Sequence, residues 1–168
     1  MNNTIIQNSV RFFVLILLQV LIFNNINLYE YINPYVYIVF VFFYPIQKEK
    51  GAFLFLSFLL GLCVDFFSNS GGINAAATLF IAFIRLPILS KILNKSDFDY
   101  QLFNIRSLAF GKSFTYIVLL TFIHHFILFS FEYFSMNAFG SIITKTLLST
   151  IFTVSIIFIG IILFTKKR

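Results

Sequence analysis

The sequence predicts an all-α membrane protein with six transmembrane helices and both termini in the cytoplasm. Three observations predict it. First, the 168-residue chain is 60% hydrophobic and 11% charged, with a mean hydropathy of +0.94. Soluble domains carry roughly 25% charged residues, so there is too little polar surface to coat a globule in water. Second, the apolar residues fall into six runs separated by polar turns. Third, the basic residues gather on alternate turns. No polar linker divides the chain, so residues 1–168 form one domain.

The first run covers residues 8–27. Val10 to Phe23 is apolar apart from Arg11 and Gln19. Asn24, Asn25 and Asn27 follow where a signal peptide would place small residues for cleavage, so the run reads as a retained anchor. Gln19 is placed to hydrogen-bond another helix, at about 1 kcal/mol or less. The second run, residues 31–46, is bounded by Pro34 and Pro45. About fifteen residues rise roughly 22 Å, short of the roughly 30 Å of a bilayer's hydrocarbon. Tyr29, Tyr31, Tyr35 and Tyr37 cluster at its start, as in an interfacial aromatic belt.

A charged turn, Gln47 to Lys50, leads into the third run, residues 51–67. Ser68, Asn69, Ser70, Gly71 and Gly72 stop it, because Asn and Gly accept backbone angles a helix cannot continue. The fourth run, residues 73–93, opens with Asn74, Ala75, Ala76 and Ala77, small enough to let another helix approach. Pro87 removes a backbone hydrogen bond inside it and predicts a kink near residues 83–87. Residues 94–107 are the most polar stretch and the longest loop. The fifth run, residues 108–131, has Lys112 near its start and Glu132 just past its end. A turn at 133–140 around Asn137 and Gly140 precedes the sixth, residues 141–164, and a basic tail follows.

Six spans place both ends on one side. With the ends inside, the inner segments hold Arg11, Lys48, Lys50, Lys91, Lys95, Arg106, Lys112, Lys166, Lys167 and Arg168, against Lys145 outside. That bias predicts cytoplasmic termini in a multi-pass membrane protein. A basic rim facing anionic head groups also accounts for the net charge of +6 without nucleic acid. The 26 phenylalanines read chiefly as A/T-rich codon drift, which also favours Ile, Asn and Lys.

The chemistry-bearing residues are few. Asp65 and Arg85 lie inside spans, where a charge near the bilayer centre costs about 2.5–3.5 kcal/mol and wants a partner. At about 1.5 Å per residue their backbones differ in depth by about 9 Å. A direct ion pair, Asp65 capping a helix end, and Arg85 snorkelling to the inner head groups are all open readings. His124 and His125 are adjacent, so they point about 100° apart and cannot share one site equally. The i, i+4 spacing of a helical metal site is absent, and packing or hydrogen bonding to a neighbouring helix is expected of them. Glu132 is expected at the outer interface, solvated or bound to a partner. The single Cys63 excludes an intrachain disulfide. No nucleophile–base motif is present, so no cofactor, metal or catalytic residue is assigned, and an intramembrane enzyme is a minor alternative.

The run GLCVDFFSNSGGINAAATLFIAFIRLPIL, Gly61 to Leu89, resembles the signature hairpin of the rod shape-determining protein MreD family. HHFILFSFEYF, His124 to Phe134, resembles the fifth-helix region of its Bacteroidetes-like branch. The resemblance implies a non-enzymatic inner-membrane component of the cell-elongation complex, which supports lateral peptidoglycan synthesis and cell shape. It implies MreC, MreB, RodA and a class B penicillin-binding protein as partners. It also implies a likeness to the membrane substrate-capture subunits of energy-coupling-factor transporters, with a pocket open outward. The expected contact residues are Asp65, Gly71, Gly72, Asn74, Arg85, Pro87, His124, His125 and Glu132. The rival expectation is a substrate-binding subunit of a vitamin or metal transporter, with Ala75, Ala76 and Ala77 as its coupling surface.

Overall fold

The computed structural model describes residues 2–26, 32–46, 50–94, 108–134 and 138–164. Five long helices dominate them: α1 (Asn2–Leu21), α3 (Gly51–Ser68), α4 (Ile73–Leu93), α5 (Phe110–Tyr133) and α6 (Phe139–Phe164). Between α1 and α3 lies a short piece, a 3-10 turn (Val36–Ile38) running into α2 (Val39–Phe43). The five long helices are each long and apolar enough to cross a membrane. Their outward faces carry Phe13, Phe55, Phe66, Phe83, Ile151 and Ile162, all more than half exposed. Apolar surface of that extent matches lipid as the solvent and not water.

The α4 range is the one expected, and α3, α5 and α6 end within two residues of expectation. Pro87 lies inside α4, where the kink near residues 83–87 is expected. Helix α1 begins earlier than expected, within the polar residues before Val10. The larger correction concerns the second run. It is not a helix over residues 31–46 but three residues of 3-10 helix and five of α-helix, a rise of roughly 14 Å. The two prolines set this length. Tyr44 is extended at φ −64°, ψ 135°, as a residue before proline prefers, and Pro45 has no N–H to continue the helix. Tyr29, Tyr31, Asn27, residues 47–49, Lys95, Arg106, Asn137 and residues 166–168 lie outside the described residues.

The short piece is nevertheless the centre of the bundle. Tyr37, Ile38, Val41 and Phe42 are all 0% exposed. Asn24, just past α1, donates to Ser68 at the end of α3 at 2.9 Å, so α1 and α3 point the same way. The intervening chain runs back along α1, packed also against α4. Gln19 meets Pro34, Val36 and Tyr37, whereas Phe12, two turns earlier, meets Phe40 with ring centroids 5.7 Å apart.

Helices α3 and α4 form a tight hairpin. Asn69, Gly71 and Gly72 take left-handed backbone angles, with φ of 52°, 67° and 93°, so Gly71 and Gly72 serve the turn itself. Down the hairpin, Gly61 lies against bare backbone. A Cβ there would sit 2.6 Å from Ala75 Cα and 2.7 Å from the Asn74 carbonyl oxygen. Small residues let membrane helices touch this closely, and the gain is van der Waals contact. Ala75 fills the facing position, and Ala77 packs with Leu128 and Phe129 of α5. Only Ala76 of the alanine trio is exposed, which corrects the expectation that all three present an outer coupling surface. Helix α5 then runs antiparallel to α6, with Glu132 beside Lys145 and His125 beside Thr150.

Gly61→Ala should destabilise the protein by about 1–3 kcal/mol, the usual cost of overpacking, because backbone and not a flexible side chain must move. Gly160→Ala, with nothing within 4 Å of its would-be Cβ, should melt with the wild type. Thermal unfolding of the two variants in one detergent checks this.

Candidate functional site

Asp65 sits one turn before the end of α3 and is 4% exposed. Its carboxylate faces the first turn of α4. Oδ1 accepts from the Asn74 backbone N–H and side-chain amide, each at 3.0 Å, and from the Ser70 hydroxyl. Oδ2 accepts from the Ala75 N–H at 2.8 Å. The first N–H groups of a helix have no partner within it, and that end of the helix favours negative charge. The residue that would ordinarily cap them is Gly72, which has no side chain. Asp65 supplies the cap from the preceding helix. Of the open readings, capping is the one observed, but the end it caps is the start of α4.

Arg85, also 4% exposed, answers the opposite problem. The last carbonyls of α2 are orphaned because the chain turns extended at Tyr44 and Pro45. Arg85 Nη1 donates to the Val41 carbonyl and to the Tyr44 carbonyl at 3.0 Å, and Nη2 donates to the Pro45 carbonyl at 3.2 Å. The guanidinium carbon lies 3.9 Å from the centre of the Phe53 ring, an additional cation–π attraction. Arg85 therefore bonds to backbone carbonyls and forms no ion pair with Asp65. The only ion pair among the described residues is Lys145–Glu132, at 3.0 Å. Ten residues of α4, about 15 Å, separate the backbone that Asp65 caps from Arg85.

A chain of buried polar groups leads inward from Asp65. Asn74 gives its amide N–H to Asp65 and accepts the Tyr37 hydroxyl proton at Oδ1, at 3.0 Å. With that proton committed, the Tyr37 oxygen accepts from Nε2–H of His124, also at 3.0 Å. The network thus places a proton on Nε2 of His124. Thr78 donates to the Asn74 carbonyl at 2.7 Å and lies 3.1 Å from the Tyr37 oxygen. His125 takes a different partner, Thr150 of α6, through Nδ1 at 3.0 Å. The two histidines bond to different segments, but their rings lie 5.5 Å apart and both pack against Tyr35. Among the described residues no group of three or more His, Cys, Asp or Glu is placed to hold a metal.

The start of the short helix is held as firmly as its end. Gln19 is fully buried and accepts from the N–H groups of Val36 at 2.9 Å and Tyr37 at 3.3 Å, while donating to the Pro34 carbonyl at 3.0 Å. Thr153 of α6 accepts the Tyr35 N–H at 3.1 Å. Four expected contact residues, Asp65, Asn74, Arg85 and His124, therefore belong to one scaffold around the 36–45 segment. Gly71 and Gly72 shape the turn, Pro87 lies exposed on α4, and Glu132 binds Lys145 at the bundle's turn end. Sequence reasoning missed Gly61 and Tyr37. Tyr37 is in the core and not in an interfacial belt. Gly61 is a glycine inside an apolar helical run, the residue type that lets a neighbouring helix approach closely.

A cavity of about 820 Å³ opens at this turn end, with Asn24, Asn33, Tyr35, Ser70, Asn74 and Glu132 among its walls. A polar seam runs elsewhere, between α5 and α6. Thr121, Thr146 and Ser149 hydroxyls are buried there without partners.

These two kinds of buried hydroxyl should respond oppositely to removal. Tyr37→Phe strips a hydroxyl bonded to Asn74 and His124 and should cost about 1–3 kcal/mol. Thr121→Val removes an unpartnered hydroxyl and should be neutral or stabilising. Unfolding midpoints in detergent check both. No family model, curated protein or solved structure matches this chain.

Proposed function

We propose that the protein is a non-enzymatic, six-span inner-membrane component of the bacterial cell-elongation complex, acting through helix contacts with partner proteins. The observation that carries this reading is the α3–α4 hairpin. The stretch that resembles the MreD signature is the part of the chain closed most tightly on itself, by Gly61 against Ala75 and by Asp65 on the start of α4. Asp65, Asn74, Thr78 and Arg85 are turned inward and bonded within the bundle, while Ser68 and Asn69 stay exposed at the turn. Along its two helices it offers apolar surface outward: Phe55 and Phe66 on α3, Phe80 and Phe83 on α4. Such a surface suits recognition by other membrane helices.

In this reading the segment 32–46 makes the sixth crossing, sheltered by its neighbours, as broken helices within a membrane must be. An even number of crossings puts both termini on one face, and the ten basic residues on the inner segments make it the cytoplasmic one. The partners are then MreC, MreB, RodA and a class B penicillin-binding protein. The second reading, a substrate-capture subunit of a vitamin or metal transporter, is favoured by the cavity at the turn end. It is disfavoured by the burial of Ala75 and Ala77, which leaves only Ala76 for a coupling partner.

The proposal predicts two separable phenotypes. Asp65→Ala or Arg85→Ala should lower membrane abundance and, with it, rod shape. Phe80→Ala with Phe83→Ala should leave abundance intact while reducing co-purification with the elongation proteins and rounding the cells. Unchanged shape and co-purification in every variant would refute the assignment, and tight binding of a vitamin by the purified chain would favour the rival.

A further inference from the structure

We infer that the small cavity between Arg85 and Lys50 seats one phosphate oxygen of an anionic phospholipid. The inference goes beyond the proposed function and needs only that lipid surrounds the bundle. Pro45, Lys50, Phe53, Ala82 and Arg85 are among the walls. The cavity therefore lies where the end of the short segment, the start of α3 and the middle of α4 meet.

Its depth matches a lipid head group. Helix α3 has 18 residues, a rise of about 27 Å, close to the roughly 30 Å of bilayer hydrocarbon. Its first turn thus lies at the edge of the hydrocarbon, beside the phosphates. The Arg85 guanidinium is at that level, because it lies over the ring of Phe53, the third residue of α3.

Two cations line the cavity. Arg85 is 4% exposed, and a charge so buried is ordinarily paired. Its bonds to the Val41, Tyr44 and Pro45 carbonyls use three of an arginine's five N–H donors. Carbonyls are neutral, so they satisfy those N–H groups without matching the charge. Lys50, which is exposed, brings a second positive charge to the same walls. It directly precedes α3, whose start has no side-chain cap, and a helix start adds to the attraction for an anion.

Size decides which anion. The cavity holds about 20 Å³, just above the roughly 10–15 Å³ that one water-sized group needs. It takes one oxygen and not a whole phosphate. The rest of the ligand stays outside, at the rim of the hydrocarbon, as a phosphodiester with acyl chains does.

The test uses the full chain, purified in detergent and stripped of lipid. Phosphatidylglycerol and phosphatidylcholine are titrated separately and counted by native mass spectrometry. Both carry the phosphodiester, and only the first has net negative charge. The first phosphatidylglycerol should bind about tenfold more tightly than the first phosphatidylcholine, and millimolar inorganic phosphate or chloride should not displace it. Lys50→Gln, which removes a charge, and Ala82→Val, which fills the cavity, should each weaken it about tenfold. Lys112→Gln, exposed at the start of α5, should not. Lys50 is exposed, so Lys50→Gln should fold, and it decides the matter if Ala82→Val does not. Equal binding of the two lipids, undiminished binding by Lys50→Gln, or an equal loss in Lys112→Gln would overturn the inference. Displacement by inorganic phosphate or chloride would overturn it too, and would mark a site for a free anion.

Discussion

A backbone that stops being helical at membrane depth exposes N–H and C=O groups that lipid cannot satisfy. That constraint governs this structure. The chain breaks helix within the bundle where the short segment begins at Val36, where it ends at Tyr44, and where α4 begins at Ile73. Each break is met by a polar side chain from another helix: Gln19, Arg85 and Asp65 respectively. The two buried charges are thus explained by helix ends, and each is placed at the end whose orphaned groups match its sign.

This arrangement ties the helices to one another through the least regular piece of the chain. Gln19 belongs to α1, Arg85 to α4, His124 to α5 and Thr153 to α6, and all four bond to the segment between Tyr35 and Pro45. Without that segment the long helices would share mostly apolar contact, which in lipid supplies little preference for one register over another. Directional hydrogen bonds at fixed depths supply it instead. The rigidity is consistent with a protein whose task is to present defined helix faces to partners, as proposed for the elongation complex.

Much of this was legible in the sequence. Hydrophobic runs, Gly and Pro punctuation, and the Asn69–Gly72 turn placed α3 and α4 closely. Asp65 and Arg85 stood out because charge in an apolar run needs a reason. What could not be read was their partners. Both bond mainly to backbone, and a backbone carbonyl or N–H leaves no trace in residue identity. Of the three open readings the ion pair is not formed, and the capping reading named the right kind of partner for Asp65 but the wrong helix end. The second run misled for a related reason. Its composition is that of a span, but Pro34 and Pro45 confine the helix to a piece that only neighbours can complete. Tyr37 looked interfacial beside other tyrosines, and nothing in its spacing showed that its hydroxyl meets Asn74 and His124 in the core.

The central claim is that Asp65 and Arg85 are satisfied independently, each by its own helix end. A double-mutant cycle on reversible unfolding in detergent tests it most directly, using Asp65→Ala, Arg85→Ala and the pair. Independence predicts two destabilising single changes whose costs add to within about 0.5 kcal/mol. A coupling well above that, with the double variant scarcely worse than either single one, would mean that the two charges answer each other after all.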